Sequence, residues 1–442
     1  MQLQVAGPNP GQYDTLTVGG NAALGGTLQL ISLGFQPKAG NLLTLVSTGG
    51  VVSGQFAQFL DPFANTPGVD AVELLYQQKS VQLLFLGLGL DSGLIATVEG
   101  LTALYEISFS NANIQRLNLE DRLDDIRSGS NGFSSNMKVN GANATRDNKA
   151  TVDGKSSKSV VEPILQPGAE NRWGVWVTGF GDFVSVDSDA NARGYNFTTG
   201  GVSLGIDYRI GDQFAIGAMG EYSHTWTSLN PSGHVDVDSG RGGLYATWFN
   251  HGIYLNGAIY GGYNTYDSSR TGFGGLANGS TTGAEWSTFI SGGYDFHFGQ
   301  LTVGPIASLQ YTDVQIDGFS ENGSLAPLAI HSGSAESLRS DVGFRLFYQW
   351  QIGKIIVEPS VKAAWEHEFK YSALPITAGF AEIAGPSATF FGPSEGHDSA
   401  IVSAGIVVRL TPAISTYVNY DGQLGRENYD SNAVTGGVRI SF

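Results

Sequence analysis

The chain has 442 residues, of which only 14% are charged, with 62 glycines, no cysteine and a formal net charge of −17. That acidity excludes a nucleic-acid binder, which needs basic stripes to displace counterions from phosphate, and the missing cysteines exclude disulfide and thiolate-metal schemes. No run of about 18 apolar residues occurs, so a helical membrane span is excluded, but a transmembrane β-barrel escapes that test because each strand needs only about 9–11 residues of alternating polarity.

Met1 is followed by QLQVAGPNP, which has neither the basic nor the apolar region of a secretory leader. An outer-membrane location would therefore make this a mature or truncated piece. Residues 1–90 contain short β-like runs broken by Gly, Pro and Asn, among them Tyr13–Val18, Gly26–Ile31, Leu42–Val46 and Val81–Phe85. Their close spacing suits the coils of a β-solenoid whose open end must be capped, with a small β-sandwich as the competing reading.

Within residues 91–130 the period changes. Leu94, Val98, Leu101, Leu104, Tyr105 and Ile107, then Ile114, Leu117 and Leu119, recur at helical steps, and Gly129 supplies a stop. The end of this helix is acidic, with Glu120, Asp121, Asp124 and Asp125 in its last turns. That is the wrong sign for a helix carboxy terminus, where the carbonyl dipoles favour cations, and Arg116, Arg122 and Arg127 offset only part of it. A local cost of this kind predicts a cationic surround. Residues 131–170 are rich in Ser, Asn, Gly and Lys without periodicity and read as a flexible linker.

Residues 171–442 read as about twelve strands with period-two alternation, near 172–184, 199–210, 214–226, 235–249, 253–267, 282–298, 301–316, 334–350, 355–371, 398–410, 414–426 and 433–442. All seven tryptophans lie here. Connections alternate: Gly211–Gln213, Asn250–Gly252, Gly299–Gln300, Gln351–Lys354 and Thr411–Ala413 are short, whereas 185–198, 268–281, 317–333 and 372–397 are long. Short turns on one rim and long loops on the other mark a bacterial outer-membrane barrel. Val202, Leu204, Ile206, Tyr208 and Ile210 oppose Ser203, Gly205, Asp207 and Arg209, giving a lipid face and a lumen face. Aromatics near strand ends would form interfacial girdles. A soluble sandwich or propeller also alternates, but its strands are shorter.

In the closing segment, Val438, Ile440 and Phe442 fall on one face and Arg439 on the other. A helix followed by about twelve strands ending in GGVRISF, after solenoid-like repeats, resembles the carboxy-terminal part of a classical autotransporter of type V secretion. The resemblance implies an all-β fold: a twelve-stranded antiparallel barrel in the outer membrane, a helix in its lumen and a β-solenoid passenger end outside. It also implies a monomeric barrel that anchors and exports its own passenger, contacts outer-membrane lipid, and presents Val438, Ile440 and Phe442 to the barrel assembly machinery. The family's Asn-Asn cleavage motif is absent, the nearest match being Ser110-Asn111-Ala112-Asn113.

If odd strands rise from the turn rim, Arg209, Arg409 and Arg439 fall near that rim on the lumen face, with Arg345 and Arg241 higher. A helix descending from the loop side brings Glu120, Asp121, Asp124 and Asp125 to the level of the arginines, whose planar forks suit carboxylates. These pairs would hold the helix as a plug; the competing reading pairs the arginines with strand acids such as Asp207 and Asp421. No catalytic constellation, cofactor motif or metal spacing emerges. Ser223 and His224 are consecutive and point to opposite faces, and Glu366 and Glu368 share a face without a partner. The alternatives to export are a porin-like solute channel and an outer-membrane hydrolase.

Overall fold

The computed structural model describes residues 1–87, 98–128, 172–230, 232–381, 387–411 and 413–442. The linker expected at 131–170 lies outside the described residues, as does Leu94 of the expected helix.

The amino-terminal unit is built from parallel ladders. Gln2–Val5 pairs with Thr27–Ser32, which pairs with Gln58–Leu60; Leu16–Val18 pairs with Leu42–Thr48, and Ala22–Ala23 with Val52–Ser53. The register matches Leu16 to Val46 and Ala22 to Val52, a repeat of about 30 residues that lies within the solenoid range. An antiparallel hairpin, Ala71–Tyr76 and Ser80–Leu86, closes the stack. Alternate residues point inward, so Leu3, Val5, Leu28, Leu30, Leu43, Leu45, Leu83 and Phe85 form one core. Phe35, Phe63 and Phe85 meet edge to face within it.

The barrel has twelve long strands: β1 (Trp173–Val186), β2 (Tyr195–Ile210), β3 (Phe214–Leu229), β4 (Gly233–Asn250), β5 (Ile253–Gly272), β6 (Gly275–Tyr294), β7 (Leu301–Ile316), β8 (Gly333–Tyr348), β9 (Ile355–Glu368), β10 (Asp398–Arg409), β11 (Ile414–Arg426) and β12 (Tyr429–Ser441). Each pairs antiparallel with its sequence neighbours, and β12 returns to β1 from Gly174 opposite Ser441 to Val186 opposite Tyr429, which closes the sheet. Closure matters physically because a barrel in lipid can leave no ladder edge unpaired.

Outward residues are exposed and apolar, including Val202, Leu204, Ile206, Leu244, Leu255, Ile259, Val342 and Phe344. Trp173, Trp248, Tyr294 and Trp350 lie outward near the short turns, and Trp226, Trp286 and Trp365 nearer the loops, which makes two aromatic girdles. Trp176 departs from that pattern. It faces the lumen, packs over Gly205 and donates its indole N–H to the Tyr245 hydroxyl at 2.8 Å. A Cβ at Gly205 would stand 2.4 Å from the Trp176 ring. Gly205→Val is therefore expected to cost about 1–3 kcal/mol through overpacking, seen as a lower urea midpoint for the heat-modifiable band of the folded barrel.

The loop rim holds more structure than the sequence suggested. The segment 268–281 is not an open loop; β5 and β6 continue through it to a hairpin tip at Gly272–Gly275. Gly274 supplies the positive φ that the tight turn demands. The loops at 317–333 and 372–397 contain a four-stranded antiparallel sheet of Phe319–Ser320, Leu328–Ile330, Pro375–Phe380 and Ala388–Phe391. These strands are too short and too interrupted by glycine and proline to carry a readable period.

Candidate functional site: a helix-filled barrel lumen

A short 3-10 turn, Val98–Thr102, leads into one helix, α1 (Ala103–Ser128), which runs down the lumen from the loop rim to the turn rim. Residues 103–119 are buried on every face, although many are polar. This is why the helix has only a weak apolar stripe: its surroundings are the polar inner wall of a barrel, so polar side chains on each face find partners.

Three layers hold it. At the loop rim, Val98, Leu101, Leu104 and Tyr105 join Val184, Tyr195, Phe197, Leu229, Val235 and Leu328 in an apolar cluster, to which the amino-terminal unit contributes Leu84 and Leu86. Just below, Tyr371 donates to Glu106 at 3.0 Å, and the Phe109 and Tyr371 rings stack at 5.2 Å. In the middle, Ser110 donates to Asp182 at 2.7 Å, and Tyr260 and Gln310 donate to the Ala112 carbonyl at 2.7 and 3.2 Å. Arg116 meets Asp341 at 2.8 Å.

The third layer, near the turn rim, is ionic. Arg122 grips Asp207 through two bonds of 2.8 Å, both residues fully buried. Glu120 meets Lys362 at 3.0 Å, Asp124 meets Arg345 at 2.5 Å, Asp125 pairs with Arg439, and Asp121 accepts from Asn419. Arg345 also holds Asp295 at 2.8 Å, and Arg345 and Arg127 lie on the Tyr254 ring at 4.2 and 3.9 Å.

Of the five arginines anticipated from the sequence, the structure brings two, Arg345 and Arg439, to the helix acids. Arg345 sits lower than expected, level with Asp124. The other three serve the wall. Arg209 donates to the Gly211 and Asp212 carbonyls of its own turn at 3.0 and 2.7 Å. Arg241 lies directly opposite Glu221, bonding it at 3.0 Å and also Glu285, and Arg409 bonds Glu358 at 3.0 Å. A cross-strand carboxylate is already within reach of such an arginine, so the wall claims it first. Sequence reasoning missed the reciprocal half of the exchange: helix cations Arg116 and Arg122 on wall acids Asp341 and Asp207, and wall Lys362 on Glu120. The available signal was a charge at a lumen position of a strand, as at Asp207 and Asp341.

Val438 and Ile440 are 46% and 45% exposed and Arg439 is 1% exposed, so β12 turns its apolar stripe outward. Glu366 and Glu368 are occupied by Arg116 and Arg339 at 3.8 and 3.1 Å. His224 and His367 bond Asp238 and Asp398 on the outer surface at 2.9 and 2.8 Å. Among the described residues no group of three histidines or acids converges as a metal site.

A closed, outwardly apolar, twelve-stranded barrel with a chain segment threaded through it defines a class: an outer-membrane translocator rather than an open pore. Residues 175–421, more than half of the chain, match the family model described as the autotransporter beta-domain, and the chain belongs to that family. It is 26% identical to an extracellular serine protease of Serratia marcescens over 61% of this chain and 26% of that protein, and 26% identical to the esterase EstA of Pseudomonas aeruginosa over 58% and 41%. The chain thus spans about a quarter and two-fifths of these relatives. The translocator domain of the autotransporter NalP from Neisseria meningitidis shares the fold, with a TM-score of 0.50 and 17% identity over 61% of this chain and 88% of that one.

Proposed function

We propose that the barrel anchors the chain in the outer membrane and exports its own amino-terminal part through the lumen, leaving residues 1–90 at the cell surface as the capped end of a β-solenoid passenger. The observation that supports this is the threading itself: α1 leads from the amino-terminal unit at the loop rim to the turn rim, the path an exported segment leaves behind. A helix filling the lumen is also what a porin-like solute channel should not have. The protease and esterase activities named for the relatives belong to those proteins; to this chain we assign export, not catalysis.

We further infer that the barrel inserts as a monomer, that Val438, Ile440 and Phe442 form the stripe read by the barrel assembly machinery, and that Glu120, Asp121, Asp124 and Asp125 with Arg345, Arg439 and Lys362 lock the helix after export. The test is protease treatment of intact cells expressing the chain behind a leader. Residues 1–90 are expected to become accessible to digestion or antibody while the barrel stays protected. Protection of both parts, with digestion only after the outer membrane is opened, overturns the reading.

A further inference from the structure

The lower lumen contains a cavity between α1 and strands β5 to β11, lined among others by Glu120, Asp121, Asp341, Lys362, Asn419 and Asp421. Charge around it is not balanced. Lys362 is matched to Glu120, Arg345 and Arg127 to Asp124, Arg116 to Asp341 and Arg439 to Asp125. That leaves Asp121 and Asp421. The bond that Asp121 makes is to the Asn419 amide, and Asn419 and Asp421 stand two apart on β11, on the same face. The helix carboxylate and the strand carboxylate are thereby brought together, and among the described residues neither makes a salt bridge within 4 Å, the nearest cations being Arg439 for Asp121 and Lys362 for Asp421. Asp421 is only 7% exposed and lines the cavity; Ser403 stands opposite it, and its buried Oδ2 makes no hydrogen bond of normal geometry. A buried, unpaired carboxylate oxygen is costly unless something neutralises it.

We propose that this cavity binds a divalent cation of the magnesium type, held by Asp121 and Asp421 and by its own retained water. Two neighbouring carboxylates without a direct salt bridge suit a double positive charge. Hard cations take oxygen ligands, and magnesium keeps much of its water shell while using one or two carboxylates. Ser403, directly opposite Asp421 across the ladder, adds a hydroxyl to the wall of the cavity. Glu120, Asp121 and Asp124 keep partial exposure, so the ion can enter from water at the turn rim. The bound ion joins α1 to β11, and the site stands whether or not the barrel exports.

Isothermal titration of the folded chain with magnesium chloride, in a non-ionic detergent at matched ionic strength, tests it. Wild type is expected to give a saturable binding isotherm. Asp421→Asn and Asp121→Asn should each weaken it by about tenfold or more, while Asp398→Asn, on the outer surface, leaves it unchanged. Absence of a saturable isotherm in wild type overturns the proposal, as does unchanged affinity in Asp421→Asn that still shows the heat-modifiable folded band. Asp121→Asn alters the helix rather than the barrel ladder, so its affinity decides the matter should Asp421→Asn fail to fold.

Discussion

Asp207→Ala is expected to destabilise the helix-filled barrel by about 3–5 kcal/mol, because it removes the carboxylate that holds the fully buried Arg122 guanidinium through two bonds. The partner change Arg122→Ala should do comparable harm by leaving the Asp207 carboxylate buried without its cationic partner. The double variant Arg122→Met/Asp207→Leu should recover much of the loss, since an apolar pair of similar volume removes both desolvation costs. Urea unfolding followed by heat-modifiable gel mobility measures all three. A double variant no better than the singles would mean that the pair is not the source of the effect. The Tyr245 hydroxyl, which donates to Asp207 at 2.9 Å, makes the carboxylate variant the more damaging of the singles.

Single-channel conductance in planar bilayers gives the second large effect. Arg345→Glu places a new negative charge against Asp124 and Asp295, and Arg439→Glu does the same against Asp125. Each variant is expected to raise conductance well above wild type as the lower half of α1 is repelled from the wall. Arg209→Gln, whose wild-type bonds go to carbonyls of its own turn, should leave conductance where it was. Equal conductance in all four proteins would refute the plug while leaving membrane insertion untouched.

Much of this architecture was legible in the sequence because lipid imposes a period. Every expected strand is present, and the lipid faces of β2 and β12 are those that alternation assigned. A strand whose two sides meet different solvents announces its register, as Val438 and Arg439 do. The lumen was harder to read for a physical reason. On the inner wall both helix and strands offer charged groups, so which carboxylate an arginine meets depends on heights and cross-strand neighbours that period-two counting does not fix. Arg241 and Arg409 were lost to Glu221 and Glu358 in this way, whereas Arg345 and Arg439 had α1 within reach. The short strands at the loop rim lie beyond alternation because two or three residues hold too little of a period.

The β1–β12 seam has a mechanical consequence for α1. Its two strands lie about 250 residues apart, the most non-local pairing in the barrel and therefore the costliest closure in chain entropy. Once zipped, the ring encircles a segment whose neighbours continue on either side of it, so sideways departure requires breaking a ladder that runs from Gly174–Ser441 to Val186–Tyr429. What remains is sliding along the axis, as a shaft moves in a bearing. Axial travel must break the Arg122–Asp207 clasp and its lower neighbours and must pull Leu101 and Leu104 out of the apolar collar at the loop rim. The residence time of the helix is then a matter of one-dimensional friction, set by contacts along its length rather than by affinity at any single point.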